Sequence, residues 1–212
     1  MMFILYGRPG SASAAVEAVL AEVEAPHEVV HVPRTDEAKI AAAGHRDVPA
    51  VEVPTLEFPD GSRMAKCAAI LLHLADLYAA HGLAPALRAA ERPRYTEWMI
   101  NLAAKFHSAD LRLFQPLRFA RNADMAAAVE DQARAEIATR FARLAAALGD
   151  GPFLLGERLS AADIYAAMLI GWAPDVEALL KAQPALARLY NGVASRPAIA
   201  PVWHRNGMIA AR

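Results

Sequence analysis

The sequence predicts a small α/β domain followed by an all-helical domain, and three features predict it. Apolar runs at residues 3–6 and 27–32 have strand length and flank a segment of helical period. Residues 55–64 read as a hairpin turning on Pro59-Asp60-Gly61. Beyond residue 87 every periodic segment is helical, which places the sheet entirely in the N-terminal part.

Phe3–Tyr6 is a strand ended by Gly7-Arg8-Pro9-Gly10. Residues 13–24 place Ala15, Val16, Val19, Leu20 and Val23 on one helical face. His27–Val32 is a second strand closed by Pro33, and Asp36–Ala43 a short helix ended by Gly44, so the start is a parallel βαβ unit. Pro54 opens the next strand without an N–H to give, which leaves the backbone beside it available to another extended chain. Thr55–Phe58 and Arg63–Met64 form the hairpin, and Ala68–Ala80 returns to helix with Ile70, Leu71, Leu74 and Leu77 on one face. Residues 1–80 thus make the first domain, 81–87 a linker and 88–212 the helical domain, broken near Arg121-Asn122, Gly149–Pro152, Pro174, Pro184 and Pro197. Ser160 and Asp163 have the spacing of a capping box.

The 212 residues are 56% hydrophobic, enough for a sizeable core. With 22 basic and 23 acidic residues, no overall field favours nucleic acid or an anionic membrane. The single cysteine, Cys67, excludes an intramolecular disulfide framework or a multi-thiolate metal site and suits a reducing cytoplasm. No run reaches the roughly 20 apolar residues of a membrane span.

The order strand, loop, helix, strand, proline-led hairpin and helix, with Phe153-Leu154-Leu155-Gly156 and the capping box behind it, resembles the cytosolic glutathione S-transferases of bacterial type, near the beta, delta and theta classes. The resemblance implies a thioredoxin-like N-terminal domain, a helical C-terminal domain and a homodimer. It further implies glutathione as co-substrate with no other cofactor, an apolar electrophile as second substrate, and a cis proline at Pro54 with Val53 pairing to the cysteinyl backbone.

Such a transferase needs a donor beside the glutathione sulfur, because lowering the thiol pKa creates nucleophile at neutral pH. Pro9-Gly10-Ser11-Ala12 resembles the loop of the delta and epsilon classes, whose serine donates to the thiolate, which makes Ser11 the first candidate. Ser13, in the first helical turn, is the second. Ala12 stands where the beta class carries its cysteine, which excludes mixed-disulfide chemistry at this loop. Tyr6 lies near the catalytic tyrosine of other classes and counts among the binding candidates, though its register suits a packed strand residue. His107, nine places after Trp98, resembles the beta-class histidine that faces the cleft, and Phe114 follows as an apolar wall.

Two positions depart from the family. Its γ-glutamyl site reads Glu-Ser or Gln-Ser, whereas this chain has Lys66-Cys67, and a basic or amide residue two before the proline is replaced by Glu52. The opposed reversals predict a Glu52–Lys66 pair across the tripeptide site. Cys67, beside Lys66 at a helix start, is expected to have a lowered pKa and supports a thiol-redox alternative. A non-catalytic binding or stress protein that keeps the transferase fold is the other alternative.

Overall fold

The computed structural model describes residues 2–33 and 52–208. These divide into two compact units, one formed by residues up to 84 together with 194–208, the other by 85–193. The expected helix at 36–43 lies outside the described residues.

In the first unit, β1 (Phe3–Gly7), α1 (Ser13–Glu22) and β2 (His27–His31) form the predicted βαβ start, with β1 and β2 parallel from Phe3↔His27 to Gly7↔His31. The hairpin β3 (Thr55–Glu57) and β4 (Arg63–Ala65) adds antiparallel strands, giving the order β2-β1-β3-β4. α2 (Cys67–Leu77) ends in a 3₁₀ turn, Ala79–His81, rather than running on to residue 80. Leu5, Val16, Val19, Leu20, Leu56, Ile70, Leu71 and Leu74 are fully buried, each worth about 1.5–3 kcal/mol of apolar transfer.

Register brings three segments to one edge of this sheet. Tyr6 pairs with Thr55 and Thr55 with Ala65. The loop after Gly7, the Val53-Pro54 step before β3 and the Lys66-Cys67 step after β4 therefore leave the sheet side by side. The Val53–Pro54 peptide is cis.

The second unit holds α3 (Arg92–Asn101), a wide π-type turn at Leu102–His107, α4 (Ser108–Phe114) and a 3₁₀ turn at Pro116–Arg118. The long α5 (Ala123–Leu148), α6 (Ala161–Gly171), α7 (Val176–Ala182) and α8 (Pro184–Ala194) follow. α6 is buried from Ala161 to Ile170, the all-round apolar character of a core helix. Its start is fixed by Asp163, whose carboxylate accepts from Ser160 N (2.8 Å), Ser160 Oγ (2.6 Å) and Leu154 N (2.7 Å). Burial nevertheless raises the Asp163 carboxyl to about 6.

The C-terminal segment, which sequence reading places in the helical domain, packs with the first unit instead. α9 (Ala200–Arg205) buries Val202 and Trp203 and lies on α1. Polar groups separated by more than 170 residues hold it there: Arg196 pairs with Glu22, and Arg205 and Asn206 both reach Glu17. No helix among the described residues is long and apolar enough to cross a membrane.

Candidate active site

Gly7 ends β1 at a place where side-chain volume is forbidden. A Cβ there would sit 2.5 Å from Ser13 Cβ and 2.6 Å from Ser13 Oγ, so only glycine lets the strand end approach α1 this closely. Gly10 follows at φ 68°, in the left-handed region, and turns the chain toward the helix.

The close approach places two hydroxyls around the backbone of one residue, Arg8. Arg8 N donates to Ser13 Oγ (3.1 Å), Ser13 Oγ and Ser11 Oγ are 2.9 Å apart, and each hydroxyl lies within reach of the Arg8 carbonyl, Ser11 at 2.8 Å and Ser13 at 3.1 Å. A hydroxyl has one proton to give and two lone pairs to receive with. The arrangement therefore admits the chain Arg8 N–H to Ser13, Ser13 O–H to Ser11, with the Ser11 proton directed either to Arg8 O or outward. Ser13 is 2% exposed, whereas Ser11 is half-buried and reaches the surface. Pro9 stands exposed on the same loop.

Beside this loop, Thr55 Oγ1 donates to Glu52 O at 2.6 Å, which ties the strand entry around the half-buried Val53 and buried Pro54. Lys66 Nζ pairs with Glu52 Oε1, the contact expected from their reversed charges. Both side chains are more than half exposed, so the pair is worth about 0–1 kcal/mol. Lys66 adopts φ 73°, unusual for a residue with a Cβ and costing on the order of 1–3 kcal/mol. Sequence reasoning missed this conformation, because nothing in a lysine signals it.

Two expectations are corrected. Cys67 is 4% exposed, and burial pushes its thiol up, the reverse of the lowering expected from the helix start and Lys66. The expectation weighed the nearby charge and helix dipole but not desolvation, which dominates here. Tyr6 is 1% exposed; its hydroxyl donates to Glu57 Oε2 at 2.9 Å and Arg63 lies 5.3 Å over its ring. It is a packed sheet residue rather than a ligand-facing one.

His107 and Phe114 belong to the second unit. His107 closes the π-type turn, a distortion frequent at functional positions, and its Nδ1 lies 2.8 Å from Tyr165 Oη on the core helix α6. Trp172 meets the imidazole edge-on, with centroids 5.4 Å apart. Tyr165 was not visible in the sequence as a partner because it lies 58 residues away. Asp110, one turn after His107, is 4% exposed, and desolvation raises its carboxyl to about 8. An acid in an apolar helical stripe was the available signal for it. Phe114 is 55% exposed at the end of α4. Among the described residues no three His, Cys, Asp or Glu side chains gather as a metal site.

Residues 108–197 match the model of the glutathione S-transferase C-terminal domain. Over 160 residues, 76% of each chain, the protein is 26% identical to glutathione S-transferase GstA of Escherichia coli O157:H7. Among solved structures, a glutathione transferase homologue from Sulfitobacter with bound glutathione superposes with TM-score 0.83 at 25% identity, over 98% of this chain and 99% of that one. A sphingomonad glutathione S-transferase complexed with glutathione gives TM-score 0.78 at 31% identity, over 97% and 100%. At 31% identity over 97% of its length to the sphingomonad enzyme, the chain belongs to the glutathione S-transferase family.

Proposed function

We propose that the protein conjugates the thiolate of glutathione to apolar electrophiles, with Ser11 as the hydrogen-bond donor to sulfur. The observation that carries this reading is the Arg8–Ser13–Ser11 chain. Ser13 is buried and spends its hydroxyl inside the loop, while Ser11 reaches the surface with a proton that can turn from Arg8 O to a ligand. Receiving a bond from Ser13 strengthens Ser11 as a donor. Ser13 in this reading supports the donor, which favours Ser11 over Ser13 at the sulfur.

In this reading the Val53 backbone pairs with the cysteinyl residue of glutathione and the α2 amides beyond Lys66 face its γ-glutamyl carboxylate. His107, oriented by Tyr165, is the second polar residue of the reaction, and Phe114 contributes apolar surface for the electrophile. The enzyme acts in the cytoplasm as a homodimer. Supporting the dimer, an open and mostly apolar groove of about 820 Å³, lined by Phe3, Phe58, Leu77 and Tyr78 together with Arg63 and His73, lies at the sheet end opposite Ser11.

The Glu52–Lys66 pair favours one other reading, a binding protein that keeps the fold without efficient glutathione use. Burial of Cys67 argues against the redox alternative. Calorimetric titration with reduced glutathione and with S-hexylglutathione separates the first two. Micromolar to low-millimolar binding of both supports the transferase, while no binding of either at several millimolar leaves the binding protein.

A further inference from the structure

α1 carries two acids, Glu17 and Glu22, and no base. Uncompensated, these charges oppose an anion at the helix's N-terminal turn, where the peptide dipoles otherwise favour one. Glu17 lies one turn, about 6 Å along the axis, from Ser13. Both acids are met from the C-terminal segment. Arg196 pairs with Glu22; Arg205 Nε donates to Glu17 Oε1 at 2.6 Å, and Asn206 Nδ2 donates to Glu17 Oε2 at 2.9 Å. Glu17 is 5% exposed, and Asn206, itself buried, makes a second bond to Val202 O at 2.9 Å.

Fastening alone does not account for this arrangement. Val202 and Trp203 already bury the apolar face of α9, and an ion pair whose arginine is half exposed adds little stability beyond what apolar contact gives. Its distinctive effect is electrical, since it offsets a buried negative charge one turn into the helix that follows the reactive loop.

We propose that Arg205 and Asn206, acting through Glu17, are positioning residues that keep α1 neutral so that the bound thiol ionises at neutral pH. The inference rests on glutathione binding at the Ser11 loop. In the step concerned, the thiol releases its proton to solvent. The electron pair left on sulfur is held by the Ser11 hydroxyl and the α1 amides; an unmatched Glu17 carboxylate opposes it.

The test is a pH titration of glutathione bound to the full chain, read by the ultraviolet absorbance of the thiolate. R205A should raise the thiol pKa by about 0.5–2 units, the range Coulomb's law gives for one charge about 6 Å away between water-like and protein-like screening. R205K, which keeps the charge, should stay within about 0.2 unit of the parent, and E17Q/R205A should return to it, because neither charge remains. A double variant shifted as far as R205A, or an R205A titration that does not move, overturns the inference and leaves a mechanical latch. Absence of any thiolate signal from the unmodified protein overturns the transferase reading and this inference with it, so the two failures are distinguishable.

Discussion

The two ends of the sheet edge that the registers bring together are built in opposite ways. At the loop end, Gly7, Arg8, Ser11 and Ser13 are fixed by close approach and by short bonds to the Arg8 backbone, with Ser13 shut away from solvent. At the proline end, Glu52 and Lys66 hold each other through exposed side chains. A buried polar group keeps its geometry because losing a partner costs its full desolvation, whereas an exposed pair exchanges partners with water at almost no cost. The loop end is therefore suited to chemistry that depends on one proton's direction. The proline end is suited to gradual change in what it binds.

The largest effect that would break this contrast is G7A. The added methyl meets Ser13 Cβ at 2.5 Å, so strand or helix must shift, at about 1–3 kcal/mol of stability. Denaturant unfolding measures the loss, and conjugation should fall at least tenfold because Ser13 no longer meets Ser11. Unchanged stability and activity would show the loop end to be as compliant as the other.

Of intermediate size is the effect of replacing a buried carboxyl in the helical unit. Asp110 has a folded-state pKa raised by burial to about 8, against 3.8 ordinarily. Between those values the folded chain keeps a proton that the unfolded chain has released, so Asp110 makes stability fall as pH rises through that window. D110N should remove this slope. It should be more stable than the parent by on the order of 1–3 kcal/mol at about pH 9, and close to it near pH 4, when melting is compared across pH. A parallel pH dependence in both proteins would contradict the assignment.

The smallest effects belong to the exposed pair. E52Q and K66Q should each change stability by less than about 0.5–1 kcal/mol. K66Q should tighten glutathione a few-fold by removing a cation beside its ammonium, the gain shrinking as salt is added. Calorimetry at low and high salt reads both.

How much of this was legible in the sequence follows the range of the interactions. The strands, the Pro59-Asp60-Gly61 hairpin and the Ser160–Asp163 cap are set by residues a few places apart, and these the sequence predicts correctly. The Glu52–Lys66 contact was legible because two reversed charges flank one strand pair. What escaped depends on distance or on burial. Glu17 and Arg205 are 188 residues apart, so the C-terminal segment's attachment to the first unit leaves no local trace. Cys67 carries the motif of a reactive thiol, yet desolvation outweighs the helix start.

The most direct measurement of the central claim is the thiol pKa of bound glutathione in the parent protein, S11A and S13A, by ultraviolet titration, with conjugation rates alongside. The account predicts a thiol well below its ordinary 8.5–9 in the parent, a return toward that value and a loss of about 10²–10³ in kcat in S11A, and a smaller shift in S13A. A thiol pKa equally low in S11A and the parent would contradict it.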